Sequence, residues 1–132
     1  MAYFKGMFDA VALAAAAGFG AQAQGAFAVM PTWDGITACN GRPINSPSPR
    51  FTIANAPAGT TQLEFKMTDL DAPMFSHGGG KAAYNGDGGV AAGAFTFVGP
   101  CPPSSHRYEW SVVARDSVGK SLGTAKAGIK YP

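Results

Sequence analysis

The chain has 132 residues, of which 18 are glycine and 10 are proline, and its formal net charge at pH 7 is +2. Apolar side chains make up 46% and charged ones only 14%, which excludes an intrinsically disordered chain and allows one domain with a hydrophobic core. Because the charge is small and the sequence has no basic run with interleaved aromatic residues, we predict no binding to nucleic acid.

The first predicted element is a secretory signal peptide over residues 1–23. Lys5 gives a charged start, residues 10–19 form a short apolar run, and Ala21-Gln22-Ala23 fits the small-x-small pattern that precedes signal cleavage. A buried Ala-rich helix is the alternative for the same residues. The run is too short to span a bilayer comfortably, so we predict no transmembrane segment after cleavage. The expected product is a periplasmic or secreted protein whose single domain spans residues 24–132.

Export gives the only two cysteines, Cys39 and Cys101, a structural interpretation. An oxidising compartment favours a disulfide bond between them, and two unpaired buried thiols are the alternative. A loop of about 60 residues closed by this bond would stabilise the fold by roughly 4 kcal/mol. The two histidines and two distant cysteines do not have the spacing of a metal site, so we expect no metal or other cofactor.

Two segments alternate in hydrophobicity as strands with one buried face do. In residues 63–69 the odd positions are apolar until Asp69, and in residues 106–114 the even positions carry the apolar bulk. Weaker strands are predicted at residues 51–54, 81–84, 94–98 and 125–131, with turns at 56–59, 85–89 and 116–119. Residues 40–50 are interpreted as an irregular connection and residues 76–80 as a polar, glycine-rich loop. The pattern predicts an all-β, antiparallel, Greek-key-like sandwich.

Asp69 and His106 are polar residues that fall in the buried phase of these two strands. A buried carboxylate must find hydrogen-bond donors or stay protonated. Each residue also has a plainer interpretation: Asp69, like Asp71, could cap the turn that follows, and His106 could be a satisfied core histidine. If the two side chains meet at the rim of the sandwich, they could bind an anion through protonated His106 and the Tyr108 hydroxyl, with Asp69 fixing the tautomer.

Three blocks of sequence resemble motifs of the phosphatidylethanolamine-binding protein family, also called the Raf kinase inhibitor-like family, in its short bacterial exported form. The blocks are Ala-Pro-Ala-Gly-Thr at 56–60, Asp-Leu-Asp-Ala-Pro at 69–73 and Gly-Pro-Cys-Pro-Pro-Ser-Ser-His-Arg-Tyr at 99–108. They follow the family's order and spacing, within a similarity that covers residues 47–116. The resemblance implies a β-sandwich with a small anion-binding pocket at one end, without the C-terminal helix of larger members.

The resemblance also implies which residues form that pocket. Asp69, Asp71, His106 and Tyr108 are expected to bind the ligand, and Pro102 and Pro103 are expected to form a wall. The family's second pocket histidine belongs to a His-Trp pair whose positions here are occupied by Gly80 and Lys81. The candidate replacement is His77, whose alternative is a solvated loop residue, while Lys81 is a second candidate source of positive charge.

The function expected from these residues is non-catalytic binding of a small anion or phosphorylated group, such as a phospholipid headgroup. Two alternatives remain open from sequence. The same pocket could serve an acid–base hydrolase, or the protein could bind a protein partner as a kinase or protease inhibitor. Residues 114–121 match a loose P-loop pattern, but no helix is predicted after them, and we interpret them as a hairpin turn.

Overall fold

The computed structural model describes residues 25–86 and 88–132. The signal peptide predicted over residues 1–23 lies outside the described residues. Within the described ranges the chain forms β-strands and no helix, so no helix there could cross a membrane. The strands are β1 (Ala28–Pro31), β2 (Asn45–Pro47), β3 (Phe51–Ala54), β4 (Gln62–Asp69), β5 (Ser76–Ala83), β6 (Gly89–Val90), β7 (Thr96–Val98), β8 (His106–Arg115) and β9 (Ser121–Tyr131).

The strands form three antiparallel sheets. The largest has the order β5-β4-β8-β9, a second has the order β1-β3-β6, and β2 pairs with β7. The two segments with the clearest alternation, β4 and β8, are neighbours at the centre of the largest sheet, where Asp69 lies opposite Tyr108. The prediction of an all-β antiparallel sandwich is therefore confirmed.

Aromatic side chains pack the β1-β3-β6 sheet against the β5-β4-β8-β9 sheet. Phe51 of β3 packs on Phe65 of β4 with ring centroids 4.6 Å apart, and it meets the edge of Trp110 of β8 at 5.1 Å. All three rings are buried. This is the arrangement expected when the inward positions of two sheets interdigitate, because apolar area removed from water supplies most of the favourable free energy.

The loop predicted at residues 76–80 is wrong, because these residues form the first half of β5. Glycine is depleted in strands, and three consecutive glycines therefore favoured a loop. The pairing with β4 overrides that preference. A side chain at Gly79 would lie 1.8 Å from the carbonyl oxygen of Phe65, beside the register shift between Lys66 and Thr68, so the strands can approach here only because Gly79 has none.

Smaller corrections concern the ends of strands. The connection predicted at residues 40–50 contains the short strand β2, which pairs with β7. β9 begins at Ser121, four residues before the predicted start, while β7 begins at Thr96 rather than at residue 94. These boundaries follow from pairing between strands, which local sequence does not reveal.

The turn between β8 and β9 has the hairpin geometry predicted for it. The backbone N–H of Asp116 donates to the carbonyl of Lys120, and the N–H of Gly119 donates to the carbonyl of Asp116. The Asp116 carboxylate also accepts hydrogen bonds from the backbone of Val118 and Lys120. Because a strand and not a helix follows, the loose P-loop pattern has no phosphate-binding helix terminus.

We expect Gly79→Ala to lower the free energy of unfolding by about 1–3 kcal/mol, since the added methyl group collides with the backbone of β4. The matched control is Gly128→Ala in β9, where the new Cβ would lie 3.7 Å from its nearest neighbour and the change should be neutral or slightly stabilising. Denaturant unfolding of both variants measures the difference. Equal stability of the two would contradict the close approach at Gly79.

Candidate functional site

The candidate site lies at the end of the largest sheet, where β4 stops and β8 begins. Asp69 is the last residue of β4 and His106 is the first of β8. Both residues occupy inward-facing positions of their strands, so their side chains lie together at the same rim of the sheet, as the alternation predicts. Asp69 is 4% exposed, and the His106 side chain keeps 17% of its surface accessible. One partner is therefore buried while the other reaches solvent.

Asp69 acts both as a turn cap and as the partner of His106. Its Oδ1 atom accepts hydrogen bonds from the backbone N–H groups of Asp71 at 2.9 Å and Ala72 at 3.1 Å. Its Oδ2 atom lies 2.7 Å from Nδ1 of His106. Burial alone would raise the pKa of Asp69, but the hydrogen bonds from His106 and the turn outweigh it and hold the pKa below its ordinary value. The carboxylate is therefore charged near neutral pH.

The acceptors that face the two histidines determine their tautomers. His77 Nδ1 lies 2.6 Å from the carbonyl oxygen of Val98, and His106 Nδ1 faces the charged Asp69 carboxylate. Since neither oxygen can donate, Nδ1 carries a proton in both rings, and Nε2 is the nitrogen left for a ligand. His77 is 3% exposed and lies in β5, so its interpretation as a solvated loop residue is wrong.

Tyr108 is fully buried, and its hydroxyl interacts with Asp69 rather than with solvent. Burial raises the pKa of Tyr108, and the charge of Asp69 and a hydrogen bond to it raise the pKa further. Behind it, Trp33 packs edge-on at 5.7 Å and donates from Nε1 to the carbonyl oxygen of Lys130 at 2.7 Å. Tyr108 thus supports Asp69 from within the core, and Trp33 is a supporting residue that sequence reasoning missed.

A cavity of about 140 Å³ lies against this pair. Six of the seven predicted ligand-binding residues line it: Asp69, His77, Pro102, Pro103, His106 and Tyr108. Asp71 does not line it; its carboxylate accepts a hydrogen bond from the backbone N–H of Arg107 at 2.8 Å. The cavity lining also contains residues that sequence reasoning did not select, namely Pro43, Ala72, Phe75 and Cys101.

The sequence carried a signal for part of that lining. Ala72 lies inside the block at 69–73 and Cys101 inside the block at 99–108, so both could have been inferred from the motifs. Pro43 and Phe75 lie outside the blocks and have no such signal. Gly80 and Lys81 do not line the cavity: Gly80 lies against Phe95, and Lys81 lies opposite Glu64 on the outer face of the sheet. The interpretation of Lys81 as a source of positive charge in the pocket is therefore wrong.

The disulfide bond between Cys39 and Cys101 is present, as predicted, with the two Cα atoms 5.3 Å apart. Cys101 immediately precedes the Pro102-Pro103 wall and itself lines the cavity. The bond therefore fastens that wall to the segment around residue 39, which is 62 positions away in sequence.

Asp69, Asp71 and His106 also offer three ligand atoms within 4.8 Å of one another, which is close enough for a metal ion. However, both oxygens of Asp69 are already used by His106 and the turn, and one oxygen of Asp71 is used by Arg107. A metal ion would have to break hydrogen bonds that hold the turn. The donor set is therefore better suited to orienting His106 than to binding a cation.

Solved structures with this fold include two that are described as phosphatidylethanolamine-binding proteins. A homologue of phosphatidylethanolamine-binding protein from Chlamydia trachomatis has a TM-score of 0.53 and 18% identity, covering 80% of this chain and 97% of that one. YbcL of Escherichia coli, described as a member of the mammalian PEBP family, has a TM-score of 0.57 and 17% identity, with the same coverage. No family model and no curated protein matches the sequence. The fold implied by the motif resemblance is thus confirmed.

We expect Asp69→Asn to lower the free energy of unfolding at pH 7 by about 1–3 kcal/mol, because the charged hydrogen bond to His106 is lost. Because the pKa of Asp69 is lowered in the folded protein, its charged carboxylate stabilises the fold at pH values above the ordinary pKa of 3.8. This contribution disappears as pH falls through the lowered pKa of the folded state. The gap between wild type and variant should therefore shrink at acid pH.

Denaturant unfolding between pH 7 and pH 2.5 measures that gap. Glu109→Gln is the matched control, since Glu109 lies on the solvent face of the same sheet, and its gap to wild type should stay small throughout. A gap for Asp69→Asn that stays constant down to acid pH would contradict a stabilising charge at this position.

Replacing both cysteines, Cys39→Ser with Cys101→Ser, should lower the free energy of unfolding by about 4 kcal/mol, because the 62-residue loop regains its freedom in the unfolded chain. Chemical denaturation of the double variant under oxidising conditions measures the loss. Wild type with reductant should behave like the double variant. Unchanged stability in both would contradict a stabilising constraint of the bond on the unfolded chain.

Proposed function

We propose that this protein is an exported member of the phosphatidylethanolamine-binding protein family that binds a small anionic or phosphorylated group in the periplasm without turning it over. The observation that carries the proposal is the hydrogen-bonded Asp69–His106 pair beside a cavity whose other walls are largely apolar. Support for the family comes from the motif blocks and from the two structures that share the fold. The predicted signal peptide supports the periplasmic setting.

The pair supplies the chemistry of anion binding through His106. Asp69 accepts a hydrogen bond from Nδ1–H and holds the ring, so a protonated His106 presents Nε2–H to a ligand oxygen. The free Nε2 of His77 provides a second donor when that ring is protonated. Because Pro102 and Pro103 keep water away from one side, these hydrogen bonds act in a medium less polar than water and gain strength.

The size of the cavity limits the ligand. An apolar cavity of about 150 Å³ holds benzene, which has six heavy atoms. A cavity of about 140 Å³ therefore accepts a phosphate or carboxylate group, while the remainder of a larger ligand must extend out of it. A phospholipid headgroup fits this description because its phosphate can enter while its acyl chains stay outside.

A hydrolase is the second candidate, because a carboxylate on Nδ1 with Nε2 free is the arrangement of a general base. Neither Ser104 nor Ser105 lines the cavity, and the Ser105 hydroxyl donates to the carbonyl oxygen of Pro132 at 3.1 Å. A water molecule would therefore have to be the nucleophile. Binding is the better-supported function, since it requires only the groups that line the cavity.

The binding proposal predicts that inorganic phosphate, phosphorylethanolamine and acetate each produce saturable shifts in the imidazole NMR signals of His106 and His77. Ala72→Leu should weaken binding at least about tenfold by filling the cavity without removing a polar group.

Ala83→Leu is the matched control, since Ala83 is exposed at the far end of β5 and does not line this cavity. Silent imidazole signals in a folded protein would overturn the binding proposal. Turnover of a chromogenic phosphoester that disappears in His106→Ala would instead favour the hydrolase.

A further inference from the structure

The outer face of the largest sheet carries most of the protein's positive charge. Side chains that point away from the core of β4, β5, β8 and β9 include six of the chain's ten Lys and Arg residues and two carboxylates, a net charge of +4. We call these eight residues the basic face: Lys66, Lys81, Arg107, Arg115, Lys126, Lys130, Glu64 and Glu109. Their common orientation follows from the register, because alternate residues of β4 and β8 are buried and β5 and β9 pair with these two strands.

Much of this charge has no internal counterpart. Arg115 pairs with Glu64 at 2.7 Å, and Arg115 and Lys81 together lower the pKa of Glu64. In contrast, Lys66, Arg107, Lys126 and Lys130 form no ion pair within residues 25–86 and 88–132. Such a surface attracts polyanions, with an attraction that falls as salt is added.

An exposed apolar turn lies at the end of the sheet that carries Arg107 and Lys130. The turn between β4 and β5 exposes 42% of Leu70, 97% of Met74 and 43% of Phe75, and we call these three residues the apolar tip. The tip is attached directly to the basic face, because the N–H of Leu70 donates to the carbonyl oxygen of Arg107 at 2.8 Å. Arg107 in turn lies opposite Lys130. Apolar and cationic groups therefore adjoin one another on a single rim.

We propose that the apolar tip and the basic face dock this protein on an anionic lipid bilayer. The tip enters the boundary between headgroups and acyl chains, while Arg107 and Lys130 remain among the headgroup phosphates. A nucleic acid fits less well, because the basic face offers no aromatic ring for base stacking. Docking would also bring the candidate cavity to the lipid surface, since Phe75 belongs both to the tip and to the cavity lining.

The first test places a fluorescent reporter in the tip of the full chain. Met74→Trp should show a blue-shifted emission and quenching by brominated acyl chains on vesicles with 30% anionic lipid, but not on neutral vesicles. The matched control is Val118→Trp, since Val118 is 86% exposed in the β8–β9 turn and lies outside the apolar tip. Trp33 and Trp110 give the same background in both variants. Equal signals from the two variants would overturn the docking orientation.

The second test removes charge from the basic face. Lys126→Gln with Lys130→Gln should weaken vesicle binding on the order of tenfold, and added salt should abolish the difference. Arg42→Gln with Lys120→Gln is a control of equal charge, because neither residue belongs to the basic face. None of Met74, Lys126 and Lys130 lines the cavity. A failure of vesicle binding would therefore leave the binding of phosphate in the cavity intact. A folded protein that binds an anionic polymer or a protein but not the vesicles would overturn the lipid assignment.

Discussion

The hydrogen bond between the Asp69 carboxylate and His106 Nδ1 is the contact on which the site depends. It joins the end of β4 to the start of β8, and the other oxygen of the same carboxylate holds the turn at Asp71 and Ala72. Because Asp69 is buried, its charge is stable only while these donors are present. The two oxygens of the Asp69 carboxylate therefore fix the His106 tautomer, the shape of the turn and the polar side of the cavity.

The remaining walls are fixed by constraints that are distant in sequence. The Cys39–Cys101 bond spans 62 residues and precedes the proline pair, which is already rigid because each ring fixes its own backbone φ angle. On the other side, His77 is held to Val98 of β7 by a hydrogen bond of 2.6 Å. A cavity bounded by a disulfide, two prolines and a bonded histidine needs little reorganisation to receive a ligand, which reduces the entropic cost of binding.

Sequence reasoning succeeded where local alternation determines structure. The phase of Asp69 and His106 placed both at the rim, and the motif blocks identified most of the cavity lining. It failed where pairing between strands determines the structure. Residues 78–80 belong to a strand because β5 pairs with β4, and at Gly79 the backbone of β4 leaves no room for a side chain. The packing of Trp33 behind Tyr108 was likewise invisible, since it depends on contacts across 75 positions of sequence. Such long-range packing leaves no trace in the local pattern of the sequence.

Charge distribution shows the same limit and has a functional consequence. A net charge of +2 with no basic run gave no indication of a polyanion surface, because the cations of the outer face are spread over four strands and meet only in the folded sheet. Asp69 and Asp71, in contrast, place negative charge at the rim. An anion that enters the cavity is attracted by the cations of the outer face and repelled by the two carboxylates. The small net charge is thus the sum of a cationic outer face, which attracts anions, and a carboxylate-bearing rim, which repels them. The selectivity for a ligand depends on the balance between these two surfaces.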